Sequence, residues 1–201
     1  MATKCLINEP VMPSRTRDLL VLPMGRLSYD AAQAEQKRSV DIKRRDRSAA
    51  DRLLLMEMDP VVTMGTGGGR DQLLVDLEWL RDRSIEYRES RRGGGVTYHG
   101  PGQLVAYPII DVSASRNLHI YLRRLEEVVI ETLAEYDLRV HTVPGLTGVW
   151  LGEDKIAAIG IRAQSWITSY GVSINVAPDL SNFRAIDQCG LSEKGVTSME
   201  R

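Results

Sequence analysis

The chain has 201 residues, 43% hydrophobic and 26% charged, with a formal net charge of −1. That size suits one domain whose core rests on Leu, Ile, Val and Ala, because phenylalanine occurs only once. The balance argues against nucleic-acid binding, which needs clustered positive charge, and against a membrane protein, since no apolar run approaches the roughly 18–20 residues of a span. Residues 1–17 read as a flexible tail lacking the apolar segment of a secretory signal, and 18–201 as a single domain. The two cysteines, Cys5 and Cys189, make no disulfide framework. A reducing, cytoplasmic setting is expected, with an organelle-targeting N-terminus left open. There is no CxxC or HExxH, and His99, His119 and His141 are scattered, so no metal site is expected.

Asp18 to Pro23 is an apolar run that reads as the first strand. Ser28 suits a helix N-cap, Asp30 favours the first turn, and Tyr29, Ala32, Gln36 and Val40 fall at helical spacing. The helix runs into Lys37 to Arg52, which holds seven basic and three acidic residues. This stretch reads as a solvated face, with a docking patch for an acidic partner as the alternative. Leu53 to Met58 and Val61 to Gly65 read as strands, followed by a Gly-rich turn from Thr66 to Arg70. Leu73, Leu74, Leu77 and Leu80 form a helical stripe ending near Arg83, and Ile85 to Glu89 reads as a strand. Leu104 to Val112 is an apolar strand in which Pro108 suggests an edge or a bulge.

Asn117 caps the clearest helix, with Leu118, Leu122, Leu125, Val129 and Leu133 as its apolar stripe. Glu126, Glu127, Glu131 and Glu135 fall largely off that stripe, and His119 is expected to be exposed. Val149 to Leu151 and Lys155 to Ile161 read as a hairpin turning at Gly152-Glu153-Asp154. Trp166 to Val176 is a further strand, Asp179 to Ile186 a helical turn, and Asp187 to Gly190 a loop. Strands, then a helix, then more strands predict an α+β fold: a mixed β-sheet with flanking helices.

Two places carry chemistry. The first is residues 91–108, where Gly93, Gly94, Gly95, Gly100 and Gly102 accompany Arg91, Arg92, Tyr98 and His99 ahead of an apolar strand. Glycines are dense where backbone must turn sharply or let a ligand approach, so this reads as a ligand cradle rather than a surface hairpin. The second is Cys189, a candidate nucleophile in a loop. A free thiol, with a pKa near ~8.5, needs a partner to ionise at neutral pH. Lys155, at the start of an apolar strand, is the candidate, with a buried cysteine and a hairpin-edge lysine as the alternatives.

Arg92-Gly93-Gly94-Gly95-Val96-Thr97-Tyr98-His99-Gly100-Pro101-Gly102-Gln103-Leu104 resembles the signature of the lipoyl(octanoyl) transferases. Thr147 to Trp150 with Lys155 to Gly160, Thr168 to Gly171 with Asn175-Val176 and Asp179-Leu180, and Cys189-Gly190 with Val196 to Ser198 resemble that family's later blocks, in order. The resemblance implies the α+β catalytic domain shared with lipoate and biotin protein ligases. It implies transfer of an octanoyl group from octanoyl-acyl carrier protein to a lysine of lipoyl domains, those of 2-oxoacid dehydrogenase E2 subunits and of the glycine cleavage H protein, with no cofactor. By position it makes Cys189 the acyl-thioester cysteine and Lys155 the lysine that lowers its pKa. Arg92, Gly93, Gly94, Gly95, Val96, Thr97, Tyr98 and His99 would line the acyl substrate, with Ala158, Ile159, Gly160, Gly171, Val172 and Ser173.

The sequence departs from the family pattern at Tyr170, where histidine is usual, at Gln188, where proline is common, and in stopping at Arg201, where relatives usually continue. Competing readings are an ATP-dependent lipoate ligase, which would not need Cys189, and an inactive relative that only binds carrier or lipoyl domains.

Overall fold

A computed structural model describes residues 18–187 and 195–200. The expected tail 1–17, Cys5 and the stretch 188–190 that holds Cys189 lie outside the described residues. Strand β1 (Leu19–Leu27) leads into helix α1 (Tyr29–Arg45), then β2 (Asp51–Met58) and β3 (Val61–Met64). Helix α2 (Leu77–Asp82) precedes β4 (Glu86–Glu89), β5 (Val96–His99) and β6 (Gln103–Ile109). Helix α3 (Leu118–Ala134) is followed by β7 (Val149–Leu151), β8 (Asp154–Gln164) and β9 (Ile167–Asn175). The strands form a six-stranded sheet ordered β1-β2-β6-β9-β8-β7 and a three-stranded sheet ordered β4-β3-β5, so the α+β expectation holds. Parallel neighbours need a crossover, which α1 supplies for β1 and β2 and α2 for β3 and β4. Among the described residues no helix is long and apolar enough to cross a membrane.

Alternation along the strands sorts the large sheet into two faces. On one face Leu54, Met56, Val105, Tyr107 and Ile109 pack with Tyr29 and Ala32 of α1. On the other, Ile159, Val172 and Ile174 pack with Leu125, Val129 and Leu133 of α3. Helix α1 starts at Ser28, whose hydroxyl accepts from Ala31 N, and α3 starts at Asn117, whose side chain accepts from His119 N and Ile120 N. The small sheet has its own apolar cluster of Val62, Met64, Leu80, Val96, Tyr98 and Phe183.

Four expectations change. The stripe Leu73-Leu74-Leu77-Leu80 is not one helix: Leu73 bridges to Ile186 in extended backbone, and α2 begins only at its Asp76 cap, leaving Leu74 60% exposed. Backbone pairing with the far end of the chain, Leu74 N to Ala185 O at 2.9 Å, overrides the local helical period. Pro108 lies in β6, an interior strand, paired with Leu53 of β2. The β6–β9 pairing stops at Ala106↔Val172 and resumes with Asp111↔Ile167, so proline sits where the ladder lapses. Lys43, within the charged stretch, is buried: its ammonium pairs with Asp51 at 2.6 Å and donates to Ala49 O. Its neighbours Lys37, Arg38, Arg44 and Arg45 are exposed, as a solvated face requires. Glu126 falls on the buried side of α3, at 1% exposure.

Candidate functional site

The site is a cleft of about 200 Å³ between the two sheets. The small sheet presents Val96, Thr97 and His99 from β5, with Arg92, Gly94 and Gly95 from the preceding turn; the large sheet presents Ala158, Ile159 and Gly160 from β8 and Gly171, Val172 and Ser173 from β9. Two of the expected substrate residues fall elsewhere. The Tyr98 side chain, alternating with Thr97 and His99, packs edge-on against Phe183 with ring centroids 5.3 Å apart, and Asn182 donates to its hydroxyl at 3.1 Å. Gly93 is absent from the lining; its N–H donates to Ile161 O at 2.9 Å and so ties the turn to β8. Tyr107, Gly145, Leu146, Thr147 and Tyr170 join the lining from outside the predicted set.

A β-bulge places Lys155. Val149 pairs with Ala157 but Trp150 with Lys155, so β8 carries one extra residue at Ile156. Without it, alternation would put Lys155 on the face opposite Ala158; with it, Lys155 joins Ala158 and Gly160 on the cleft face. The side chain is 8% exposed, with its Nζ 5.1 Å from the centroid of the fully buried Trp150 ring. Its backbone is held on both sides by the last described segment: Lys155 N donates to Gly195 O and Thr197 N donates to Lys155 O, each at 3.0 Å.

Arg92 is 8% exposed, and its guanidinium is met by neutral acceptors. Nη2 donates to Thr63 O and Thr63 Oγ1 at 2.8 Å, Nε to Thr63 Oγ1 at 3.2 Å and Nη1 to Gly93 O at 3.1 Å. Burial pushes its pKa down, opposed by the nearby Tyr107, Tyr29 and Tyr170. The stem crosses Gly160, where a Cβ would stand 3.0 Å from Arg92 Cδ and 2.9 Å from Gly93 O, so glycine is required there by close approach. The turn from Thr66 to Arg70, unassigned by sequence reasoning, is its buttress: Thr66 N, Gly67 N and Gly65 N donate to Arg92 O, Gly94 O and Gly95 O at 2.9–3.0 Å.

His99 is buried. Burial, and then the charge of Arg92, lower its pKa to about 4, opposed by the hydrogen bond to Gln103. Its Nδ1 lies 3.1 Å from Gln103 Oε1, and Gln103 Nε2 donates to Tyr98 O and Asn175 Oδ1. Asn175 Nδ2 in turn donates to Thr197 O at 2.9 Å. This relay of amides joins β5, β6 and β9 to the segment that grips Lys155, with His99 neutral at physiological pH.

Glu126 is a residue that sequence reasoning set aside. From the buried side of α3 its Oε1 accepts from Gly148 N at 3.1 Å, while Arg123 donates to its Oε2. Gly148 has φ +126°, and a Cβ there would meet Ala157 O at 2.7 Å. Glu126 therefore holds the loop through Thr147 that borders the cleft. Its place four residues after Leu122 and three before Val129 puts it on the apolar period of α3, which is the local signal for its burial.

Tyr170 has φ +58°, a left-handed conformation that a bulky residue rarely adopts. Its partner in register, Ile161, packs with the α3 cluster, but the Tyr170 ring packs with Tyr29 and Tyr107 on the opposite face. Its N–H donates to Gln36 Oε1 at 2.5 Å, and its hydroxyl accepts from Arg91 N at 3.3 Å. The Tyr107 ring stands edge-on at 5.8 Å, and burial raises the pKa of Tyr107.

Residues 30–201 match the model of the lipoyl protein ligase A/B catalytic domain. The chain is 44% identical over 184 residues to an octanoyltransferase of Solibacter usitatus, covering 91% of this chain and 83% of that one. It is 43% identical over 182 residues to an octanoyltransferase of Synechocystis, covering 90% and 79%. The fold is similar to lipoate-protein ligase A solved with ATP bound, at TM-score 0.70 and 19% identity over 92% of this chain and 76% of that one. It is also similar to a bipartite lipoate protein ligase of Thermoplasma acidophilum, studied with its E2 lipoyl domain, at TM-score 0.65 and 19% identity over 88% and 68%.

Proposed function

The chain belongs to the lipoyl protein ligase A/B catalytic domain family, and on that premise we propose how it acts as an octanoyltransferase in protein lipoylation: through a thioester on Cys189, with Lys155 managing the protons. The donor is octanoyl-acyl carrier protein, and the acceptors are lipoyl domains of 2-oxoacid dehydrogenase E2 subunits and the glycine cleavage H protein. The catalytic unit is residues 18–201, with 1–17 as a tail. What carries the reading is the gathering of Lys155, the Arg92–His99 segment and the strand segments 158–160 and 171–173 around one cleft.

In the first half-reaction the Cys189 thiolate, stabilised by the Lys155 ammonium, attacks the thioester carbonyl. The C–S bond to the carrier breaks, and the departing thiolate takes a proton from Lys155. In the second, a neutral acceptor lysine attacks the Cys189 thioester. An amide forms, the Cys189 thiolate leaves, and Lys155 recovers a proton from the attacking nitrogen. A thioester is already activated, so the route uses no ATP. The described residues flanking 188–194 support Cys189 in this role: Asp187 N donates to Gln72 O at 2.8 Å, and Gly195 O receives the Lys155 N–H. His99, held neutral, orients through Gln103 rather than by exchanging protons near pH 7.

The test is intact-protein mass after incubation with octanoyl-acyl carrier protein. An octanoyl adduct released by hydroxylamine is expected on the wild type and is expected to be absent from Cys189→Ala. An adduct of equal yield on Cys189→Ala would refute covalent transfer through this thiol. An ATP-dependent ligase is the second reading, favoured by the fold likeness to lipoate-protein ligase A. Octanoyl transfer to a lipoyl domain without ATP separates the two.

A further inference from the structure

We propose that Tyr170, with Tyr107 and Arg92, forms the end wall of the acyl cleft and sets the length of chain the enzyme accepts; this rests on the reading of the cleft as the acyl site. The two ends of the cleft differ. Thr97, Lys155, Ala158 and Ser173 gather at one end, where they also line a smaller adjoining cavity with Gln103 and Asn175. Arg92, Tyr107 and Tyr170 line the cleft but not that cavity. From that end the rungs run Ala158↔Ser173, Gly160↔Gly171 and Ile161↔Tyr170, with the Arg92 stem and Gly93 O lying over Gly160.

Three residue steps along an antiparallel strand cover about 10 Å. The seven C–C bonds of an octanoyl chain, staggered, span about 9 Å. With the carbonyl at the Lys155 end, the terminal methyl meets the tyrosines.

The wall is built to be rigid. Without its left-handed conformation Tyr170 would point with Ile161 to the α3 face and the cleft would run on past Gly171. That conformation is held by the bond from Tyr170 N to Gln36 of α1 and by the hydroxyl's bond from Arg91 N. Tyr29, hydrogen-bonded to Ser90 and Tyr170, and Tyr107, edge-on to Tyr170, close the remaining sides. Over Gly160, on the near side of the Tyr170 rung, lies the buried Arg92 guanidinium, held by Thr63. Two more methylenes would have to displace an aromatic ring or the hydrogen-bonded Arg92 side chain, so discrimination should be steep.

The experiment measures kcat/KM for transfer from acyl-pantetheine thioesters of six, eight, ten and twelve carbons to a lipoyl-domain acceptor. Wild type is expected to peak at eight carbons and to lose about tenfold or more at ten. Tyr170→Gly relieves the positive φ and removes the ring, and is expected to raise the ten-to-eight-carbon ratio by about tenfold or more. Tyr170→Phe keeps the ring and is expected to keep the eight-carbon optimum. A wild type that transfers octanoyl while Tyr170→Gly, folded by circular dichroism, keeps the same length profile overturns the wall and leaves the reading of the site standing. A Tyr170→Phe profile that shifts as far as Tyr170→Gly also overturns it, since ring volume would not be the cause. A wild type that transfers no acyl group overturns both.

Discussion

Strands β8 and β9 show different chemistry on their two faces. Toward α3 they present Ile159, Val172 and Ile174, packed with Leu125, Val129 and Leu133. Toward the cleft they present Ala158, Gly160, Gly171 and Ser173, joined by Lys155 through the bulge at Ile156. Large side chains on one face remove apolar area from water and stabilise the fold by about 25 cal/mol per Å². Small ones on the other let Gly93 O and the Arg92 stem approach Gly160 and border a cleft of about 200 Å³. One pair of strands thus meets stability and function on opposite sides, and substitutions on the two faces should separate accordingly.

The largest separation is expected from Lys155→Ala on the cleft face. If Lys155 manages the protons, kcat/KM for octanoyl transfer should fall by roughly 10²–10⁴-fold. The pH at which the Cys189 thiol is alkylated should also move upward, and an unshifted alkylation profile would remove the proposed role. On the opposite face, Leu133→Ala should destabilise the protein by about 2–5 kcal/mol in denaturant titration, because Leu133 is 1% exposed. Turnover per folded molecule should stay near wild type; a large loss of turnover would show that the faces are not independent.

A smaller effect comes from His99, whose folded pKa of about 4 lies below the ordinary 6.5. Between those values the unfolded chain binds more protons than the folded one, so stability rises with pH across the window and is lost as pH falls through it. The full span is on the order of 3 kcal/mol. Urea titrations at pH 4.5 and 7 should show this loss in wild type and a flatter dependence in His99→Gln. An equal dependence in both would assign the pH response to other groups.

Legibility in the sequence followed the same division. The α3 stripe, both helix caps, the β7–β8 hairpin and the α+β class were readable because periodicity and capping are local properties. The Arg92–His99 block and the strand segments 158–160 and 171–173 stood out through their resemblance to a family pattern, and all but Gly93 and Tyr98 line the cleft. Alternation explains Tyr98: in a strand of four residues, Thr97 and His99 take one face and Tyr98 the other.

Composition, local period and motif order determined the class of fold, the family likeness and most of the residues around the cleft. Tertiary structure decided which of them meet. Long-range pairing broke the Leu73–Leu80 stripe, and burial beneath α1 turned Lys43 from a surface charge into a paired one. A one-residue bulge brought Lys155 to the cleft, and a positive φ turned Tyr170 across the sheet. Glu126 acquired its role only because Gly148, 22 residues away, comes within reach. Each depends on contacts between distant parts of the chain, although the helical period already sets Lys43 with Gln36, and Glu126 with Val129, on the buried sides of α1 and α3.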